Sequence, residues 1–351
     1  MPTSASPHSP RTKARELDEL AVWTRRGQEA ALEPELPIID PHHHAWHGDK
    51  RGRYVLEELL EDTGSGHNII ATVLVQSGPT MYRADGPAEM KAVGEVEFAN
   101  GIAAMGASGL YGKTRFCAGI VGFAELALGD AVRPVLEAQI AAGNGRLRGI
   151  RRNIPYDASN EGSFPPQVPH MALDPKFRQG LAHLAPLGLS FDVWMFHPQL
   201  PELADLLRAF PDTQMILNHV GGVLGEGPYA GKRDEVYQVW SANIRALAQF
   251  PNLTVKLGGL GMTRCGWDFH LREEPPSSQE LADAWRPYIE FCIETFGVSR
   301  CMMESNFPVD KTSTGYGTLW NALKRITQGA SAAEKAALYR DTAACVYRLD
   351  V

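Results

Sequence analysis

The sequence predicts a single-domain (β/α)8 TIM barrel with an N-terminal helical extension. Three observations point there: eight short apolar runs, helical segments between them, and histidines gathered where the runs end. The runs are Pro37–His44, Ile69–Ser77, Arg115–Phe123, Leu147–Asn153, Leu189–Phe196, Thr213–Val220, Leu253–Leu260 and Arg300–Phe307. Interiors such as ATVLVQ, AGIVGF and MILNHV are nearly all apolar rather than alternating, as expected of parallel strands covered on both faces. Between them, Ala88–Met105, Ala131–Ala142, Pro175–Leu184, Leu200–Ala209, Asp234–Gln249, Gln279–Thr295 and Gly317–Ile326 carry helical periodicity. Alternation of this kind favours a closed barrel over an open doubly wound sheet. A last helix, Ala332–Tyr347, is expected to close the wall.

Ahead of the first run, apolar Leu17, Leu20, Ala21, Trp23 and Ala30 are interleaved with charges, predicting an amphipathic helix broken by Glu33, Pro34 and Pro37. The expected organisation is a disordered tail over 1–14, a helix packed on the barrel over 15–36 and the barrel itself over 37–351. The tail lacks the apolar core of a signal peptide, and no stretch of about 18 apolar residues offers a membrane span.

Composition narrows the function. Hydrophobic residues make up 44% and charged residues 21% of 351, as in a folded globular enzyme. Forty-one acidic against 34 basic side chains give a net charge of -7, and no Lys/Arg run tracks phosphates, which argues against nucleic acid. The five cysteines form no CxxC pair or disulfide framework, consistent with a cytoplasmic protein. Neither GxGxxG nor GxxxxGK[ST] is present, so dinucleotide and P-loop chemistry lack their phosphate cradles.

Barrel enzymes hold catalytic groups at the C-terminal ends of their strands. Run one ends in Asp40-Pro-His42-His43-His44-Ala-Trp46, His197 follows run five, His219 closes run six, and run eight ends in Glu304-Ser-Asn306-Phe-Pro308. Residues two apart on a strand share a face, so His42 and His44 can both aim into the mouth while His43 faces out. With His197 they would make three nitrogen ligands and leave one position open. His8, His67, His170, His183 and His270 fall away from strand ends and read as surface or loop residues.

The ordered set IIDPHHHAW, His197, NHVGG, VKLGG and MMESNFPVD resembles the amidohydrolase-related superfamily (amidohydrolase 2 type), in the branch holding lactonases and aromatic-acid decarboxylases, over about Leu36 to Val351. The resemblance implies a divalent metal, usually zinc, on His42, His44 and His197, with His219 orienting or polarising substrate. It also implies a substrate carboxylate on Arg151, or on Arg152 if the register is shifted. Some lactonases of that branch work without metal, their imidazoles acting directly on the carbonyl. Homo-oligomers are common among such barrels.

Asn306 departs from the family, which places an Asp there. An amide cannot act as a general base near neutral pH, although its carbonyl can bind a hard cation weakly or hold a water. Three readings stand: Glu304, Asp310 or His219 activates water; the reaction needs no acid there; or the protein is inactive. The competing structural reading pairs Glu304 with Lys256 and Asp310 with Lys311. Gln76, Tyr82, Arg83, Arg264 and Trp46 are candidate substrate contacts at the mouth. The expected activity is hydrolysis of a small carboxylate-bearing lactone or related C–O or C–N bond. Nonoxidative decarboxylation of an aromatic or unsaturated acid is the enzymatic rival, and a non-catalytic barrel binding a small acid is the other.

Overall fold

A computed structural model describes residues 15, 17–49, 52–160 and 168–351; the N-terminal segment read as a tail lies outside them. Eight parallel strands follow one another around a ring: β1 Pro37–His43, β2 Asn68–Val75, β3 Arg115–Gly122, β4 Leu147–Arg151, β5 Ser190–Val193, β6 Met215–Leu217, β7 Leu253–Leu257 and β8 Cys301–Met303. Each pairs with its sequence neighbour, and the ring closes between β8 and β1 through a His43–Phe307 bridge and a 2.7 Å bond from His44 N–H to the Phe307 carbonyl. The predicted barrel is therefore present. Among the described residues no helix is long and apolar enough to cross a membrane.

The barrel interior is layered. Ile39, Val73, Val121, Ile216 and Met302 form a buried apolar floor. Above it, Arg151, Asp192, Lys256 and Glu304 bring two positive and two negative side chains into a region from which water is almost excluded, all at most 4% exposed. The last helix, expected to close the wall, packs against β1 and β8 and continues beneath the barrel floor. It runs Ala332–Ala336, loosens into a π-turn over Ala337–Asp341 and resumes at Thr342–Val346, so that Ala343, Tyr347 and Leu349 plug the floor. The Tyr347 hydroxyl reaches up to donate to Asp192 at 2.9 Å.

The leading helix spans Leu17–Arg26, shorter than the sequence pattern. It ends at Gly27, where an added Cβ would come within 2.6 Å of Pro275. The following segment is strapped to the helix Tyr316–Ile326: Asn321 Oδ1 accepts from Leu32 N–H at 2.8 Å, and Lys324 Nζ donates to the Leu32 and Glu33 carbonyls.

His67, expected at the surface, is 6% exposed. Its Nε2–H donates to the Gly317 carbonyl at 3.0 Å, and its Nδ1 lone pair accepts from the Lys324 ammonium at 2.9 Å. Burial, helped by that cation, pushes it down to about 4. With the folded value below the ordinary one, the unfolded chain takes the proton first. The contribution to stability is whole above pH ~6.5 and is lost as pH falls toward ~4, about 3 kcal/mol in all. Urea midpoints from pH 7 to 4.5 should fall less steeply for His67→Gln than for the parent; equal slopes would count against this account.

Candidate active site

Strand β1 places the first imidazoles. A register irregularity between Asp40 and His43 leaves His42 and His44 both turned inward, while Asp40 is held outside the ring by Ser305 and Tyr316. His44 Nδ1–H donates to the Val75 carbonyl at 3.0 Å, leaving its Nε2 as a bare lone pair. That Nε2 lies 3.2 Å from His42 Nε2 and 3.3 Å from Asn306 Oδ1. Asn306 Nδ2 donates to Asp310 Oδ1 at 2.7 Å, which fixes the amide with its oxygen facing His44. The two acceptors therefore face one another at close range, an arrangement that a cation between them relieves. Protonated His44 cannot serve, because burial, with Arg151 nearby, holds it well below its ordinary value. Separations of 3.2–3.3 Å are also those of ligands sharing one ion at about 2.0–2.1 Å each. A divalent metal fits His42, His44 and Asn306. Burial pushes Asp310 up to about 8, opposed by its Gly261 and Asn306 donors, and a cation held by Asn306 would favour the charged form.

The site's second feature is Glu304. Its Oε1 accepts from His219 Nδ1–H at 2.7 Å and from the His219 backbone N–H at 3.1 Å, while Oε2 lies 2.8 Å from His42 Nδ1. Burial pushes this carboxyl up to about 8, opposed by Lys256 and Arg151. Among the described residues, His42, His219 and Glu304 form the one group of three or more His, Cys, Asp or Glu with ligand atoms within 4.8 Å of one another. The 2.7 Å contact between Glu304 and His219 is a hydrogen bond, so we read these two as a carboxylate–imidazole pair beside the metal position, with His42 Nδ1 close to the second carboxyl oxygen. Burial also keeps His42 and His219 neutral.

Backbone strain marks the same place. His219, Val220 and Asn306 adopt φ of 56°, 47° and 54°, and a β-branched residue in the left-handed region is costly unless its surroundings enforce it. Two glycines make the room: a Cβ on Gly259 would lie 2.4 Å from the His219 ring, and one on Gly258 would lie 2.5 Å from Glu304 Cγ. The VKLGG run serves this clearance, and it also supplies Lys256. Lys256 Nζ pairs with Asp192 at 2.8 Å and comes within 3.3 Å of His42 Nδ1. The ion pairs expected from the sequence are corrected: Lys256 pairs with Asp192 rather than Glu304, and Lys311 bonds Asp62, leaving Asp310 to Asn306 and the Gly261 N–H.

The structure brings His42, His44, His219, Glu304, Asn306 and Arg151 together. Arg151 Nη2 lies 3.4 Å from His219 Nε2, whereas Arg152 turns away to Glu125. Trp46 stacks on His44, and Arg264 lies over Trp194, whose edge meets His219. The Gln76 carbonyl faces Arg151 at 3.5 Å, and the buried Oε1 of Gln76 has no hydrogen-bond partner among the described residues. Tyr82 packs on Phe123, further out, and Arg83 leaves the site for an exposed ion pair with Glu97.

His197 is the main displacement from expectation. Its ring packs on Tyr229, and its Nδ1 accepts from the Leu224 N–H at 3.4 Å. That bond puts its proton on Nε2, a donor tautomer unsuited to ligating a metal through that atom, and His197 does not join His42 and His44 in a ligand cluster. A separate groove of ≈ 420 Å³ between the leading helix and residues 311–318 contains no imidazole.

Residues 39–349 match the amidohydrolase family model, and the chain belongs to that family. It is 32% identical over 336 residues to the uncharacterized protein y4mH of Sinorhizobium fredii, covering 90% of this chain and 99% of that protein. It is 28% identical over 223 residues to an L-fucono-1,5-lactonase of Burkholderia multivorans, covering 63% of this chain and 69% of the lactonase. The crystal structure of a Burkholderia multivorans amidohydrolase with bound zinc shares the fold at a TM-score of 0.66 and 23% identity, over 89% of this chain and 99% of that one.

Proposed function

We propose that the protein hydrolyses a small lactone bearing a carboxylate, with one divalent metal, zinc first, held by His42, His44 and Asn306. The observation that carries this reading is that His42 Nε2 and Asn306 Oδ1 both lie close to His44 Nε2, at 3.2 and 3.3 Å, at the barrel rim. A cation there supplies Lewis acidity to the ester carbonyl. The kinship with a lactonase supports the ester as substrate.

The chain's own groups supply the proton transfers. His219 presents a Nε2 lone pair while its Nδ1–H is committed to Glu304. As water attacks the carbonyl carbon, His219 Nε2 takes its proton and Glu304 stabilises the imidazolium, the division of labour of a carboxylate–histidine pair. The ring C–O bond then breaks, the same proton passes to the departing ring oxygen, and the product is the open hydroxy acid. Asn306 therefore has no proton to carry. Arg151 is the anion anchor: among the described residues its buried Nε has no hydrogen-bond partner and its other nitrogens make long hydrogen bonds of 3.4–3.5 Å, leaving it available for a bidentate carboxylate.

Aldonic and uronic 1,5-lactones, with neutral and carboxylate-bearing members, are the test panel, read by acid release. Turnover is expected to disappear on chelation, to return with zinc and to favour the carboxylate-bearing members. Carbon dioxide release from an aromatic acid would replace this reading with a decarboxylase. Tight ligand binding without turnover of any ester or acid would make the barrel a binding protein.

A further inference from the structure

We propose that Asp310 is a positioning residue that makes an amide serve as a metal ligand, so that Asn306 and Asp310 together do the work of one inner carboxylate. The inference rests on the metal reading above and concerns a residue that touches neither the metal position nor substrate.

A neutral amide is a poor ligand in two ways. Its oxygen carries less charge than a carboxylate oxygen, and the group can rotate to present its NH2 instead. The structure answers both. Asp310 is fully buried, four residues beyond Asn306 across the turn, and its Oδ1 accepts from Asn306 Nδ2 at 2.7 Å. Against the ionised carboxylate, the form that a cation on Asn306 would favour, a flipped amide would set oxygen against oxygen at that distance, so the compatible orientation has Oδ1 toward His44. A charge-assisted bond on the NH2 side also draws electron density toward the carbonyl oxygen, in a buried setting where such polarisation is strong.

Asp310 is itself held rigidly. Its Oδ2 accepts from the Gly261 N–H at 2.9 Å, and the carboxylate fits there because residue 261 lacks a side chain: a Cβ would come within 2.8 Å of Oδ2. The Asp310 N–H returns to the Asn306 carbonyl at 3.2 Å, tying the pair through the backbone as well. Each polar atom of the Asn306–Asp310 pair thus has one assigned role: Oδ1 of Asn306 inward, Nδ2 to Oδ1 of Asp310, and Oδ2 to the main chain.

This assignment makes a rescue experiment possible. In Asp310→Asn, one side-chain oxygen must serve two donors, Asn306 Nδ2 and Gly261 N–H. In Asn306→Asp, two carboxylate oxygens face each other. In the exchange N306D/D310N every bond is restored: the amide now at position 310 accepts from Gly261 and donates to the carboxylate now at position 306, and the charge moves one step inward.

Zinc affinity of the metal-stripped full chain, measured by competition with a chromophoric chelator, reads the effect without reference to turnover. Asp310→Asn and Asp310→Ala are expected to weaken zinc by about 10–100-fold, and the exchange to return it to within a few-fold of the parent or tighter. Melting temperatures of the metal-free forms report folding separately, and if Asp310→Ala does not fold, Asp310→Asn and the exchange decide the matter. A parent that binds no zinc overturns both this proposal and the metal reading. A parent that binds zinc, with Asp310→Asn equally tight or the exchange no better than Asp310→Asn, overturns this proposal alone.

Discussion

Replacing His44 by Ala should weaken zinc binding by more than the roughly 10–100-fold typical of losing an outer partner, and should lower kcat on a lactone substrate by about 10³-fold. The expectation follows from the position of His44 Nε2, within 3.2 Å of His42 Nε2 and 3.3 Å of Asn306 Oδ1. Removing it takes away the atom that both other ligands approach and frees the Val75 carbonyl that had fixed the ring's tautomer. His43→Ala is the control. His43 is fully buried but outside the ring, bonded through Nδ1 to the neighbouring His44 carbonyl. Its loss should lower stability through the cavity it leaves while one equivalent of metal remains bound. Equal zinc affinity in His44→Ala and the parent would remove His44 from the site.

The barrel was legible because its signals are local. Unalternating apolar runs specify strands buried on both faces, and imidazoles at their ends need only the rule that sites gather at the C-terminal rim. Period-two spacing also put His42 and His44 on one face, and the structure brings their Nε2 atoms within 3.2 Å of each other. What escaped the sequence was pairing across the interior. Lys256 and Asp192 are single charges inside separate apolar runs, 64 positions apart, and only the closed ring makes them partners at 2.8 Å. His197 sits just beyond a strand end as expected, yet the strand stops at Val193 and the chain bends into a 3-10 turn at His197–Gln199, where the ring meets Tyr229. A strand boundary read from composition carries no information on that bend. Arg83 is similar: its neighbour in space is Glu97, on a helix the sequence did predict, and the ion pair draws it outward. The glycines of VKLGG and the Gly261 that follows were visible as letters, but their purpose, clearance for Glu304, His219 and Asp310, required coordinates.

The largest stability effect should come from Asp192→Ala, a residue beneath the site. Asp192 accepts from Lys256 Nζ at 2.8 Å, Asn218 Nδ2 at 3.0 Å and Tyr347 Oη at 2.9 Å, with Asp192 and Lys256 both fully buried. Removing it leaves a fully buried ammonium within 3.3 Å of His42 Nδ1 without its ion-pair partner. Breaking one side of a buried pair costs about 3–5 kcal/mol, readable as a lower urea midpoint at unchanged m. Tyr347→Phe removes one hydrogen bond to the same carboxylate and should cost less, about 1.5–3 kcal/mol. The double replacement Asp192→Leu with Lys256→Met should recover most of the loss, because it removes the buried ammonium along with its partner and leaves only the neutral Asn218 and Tyr347 donors without that acceptor. If Asp192→Ala unfolds within about 1 kcal/mol of the parent, the buried ion pair is not what holds the charged layer. Recovery in the double variant with zinc affinity unchanged would place the pair's role in the fold, whereas recovery with weakened zinc would place it in holding His42.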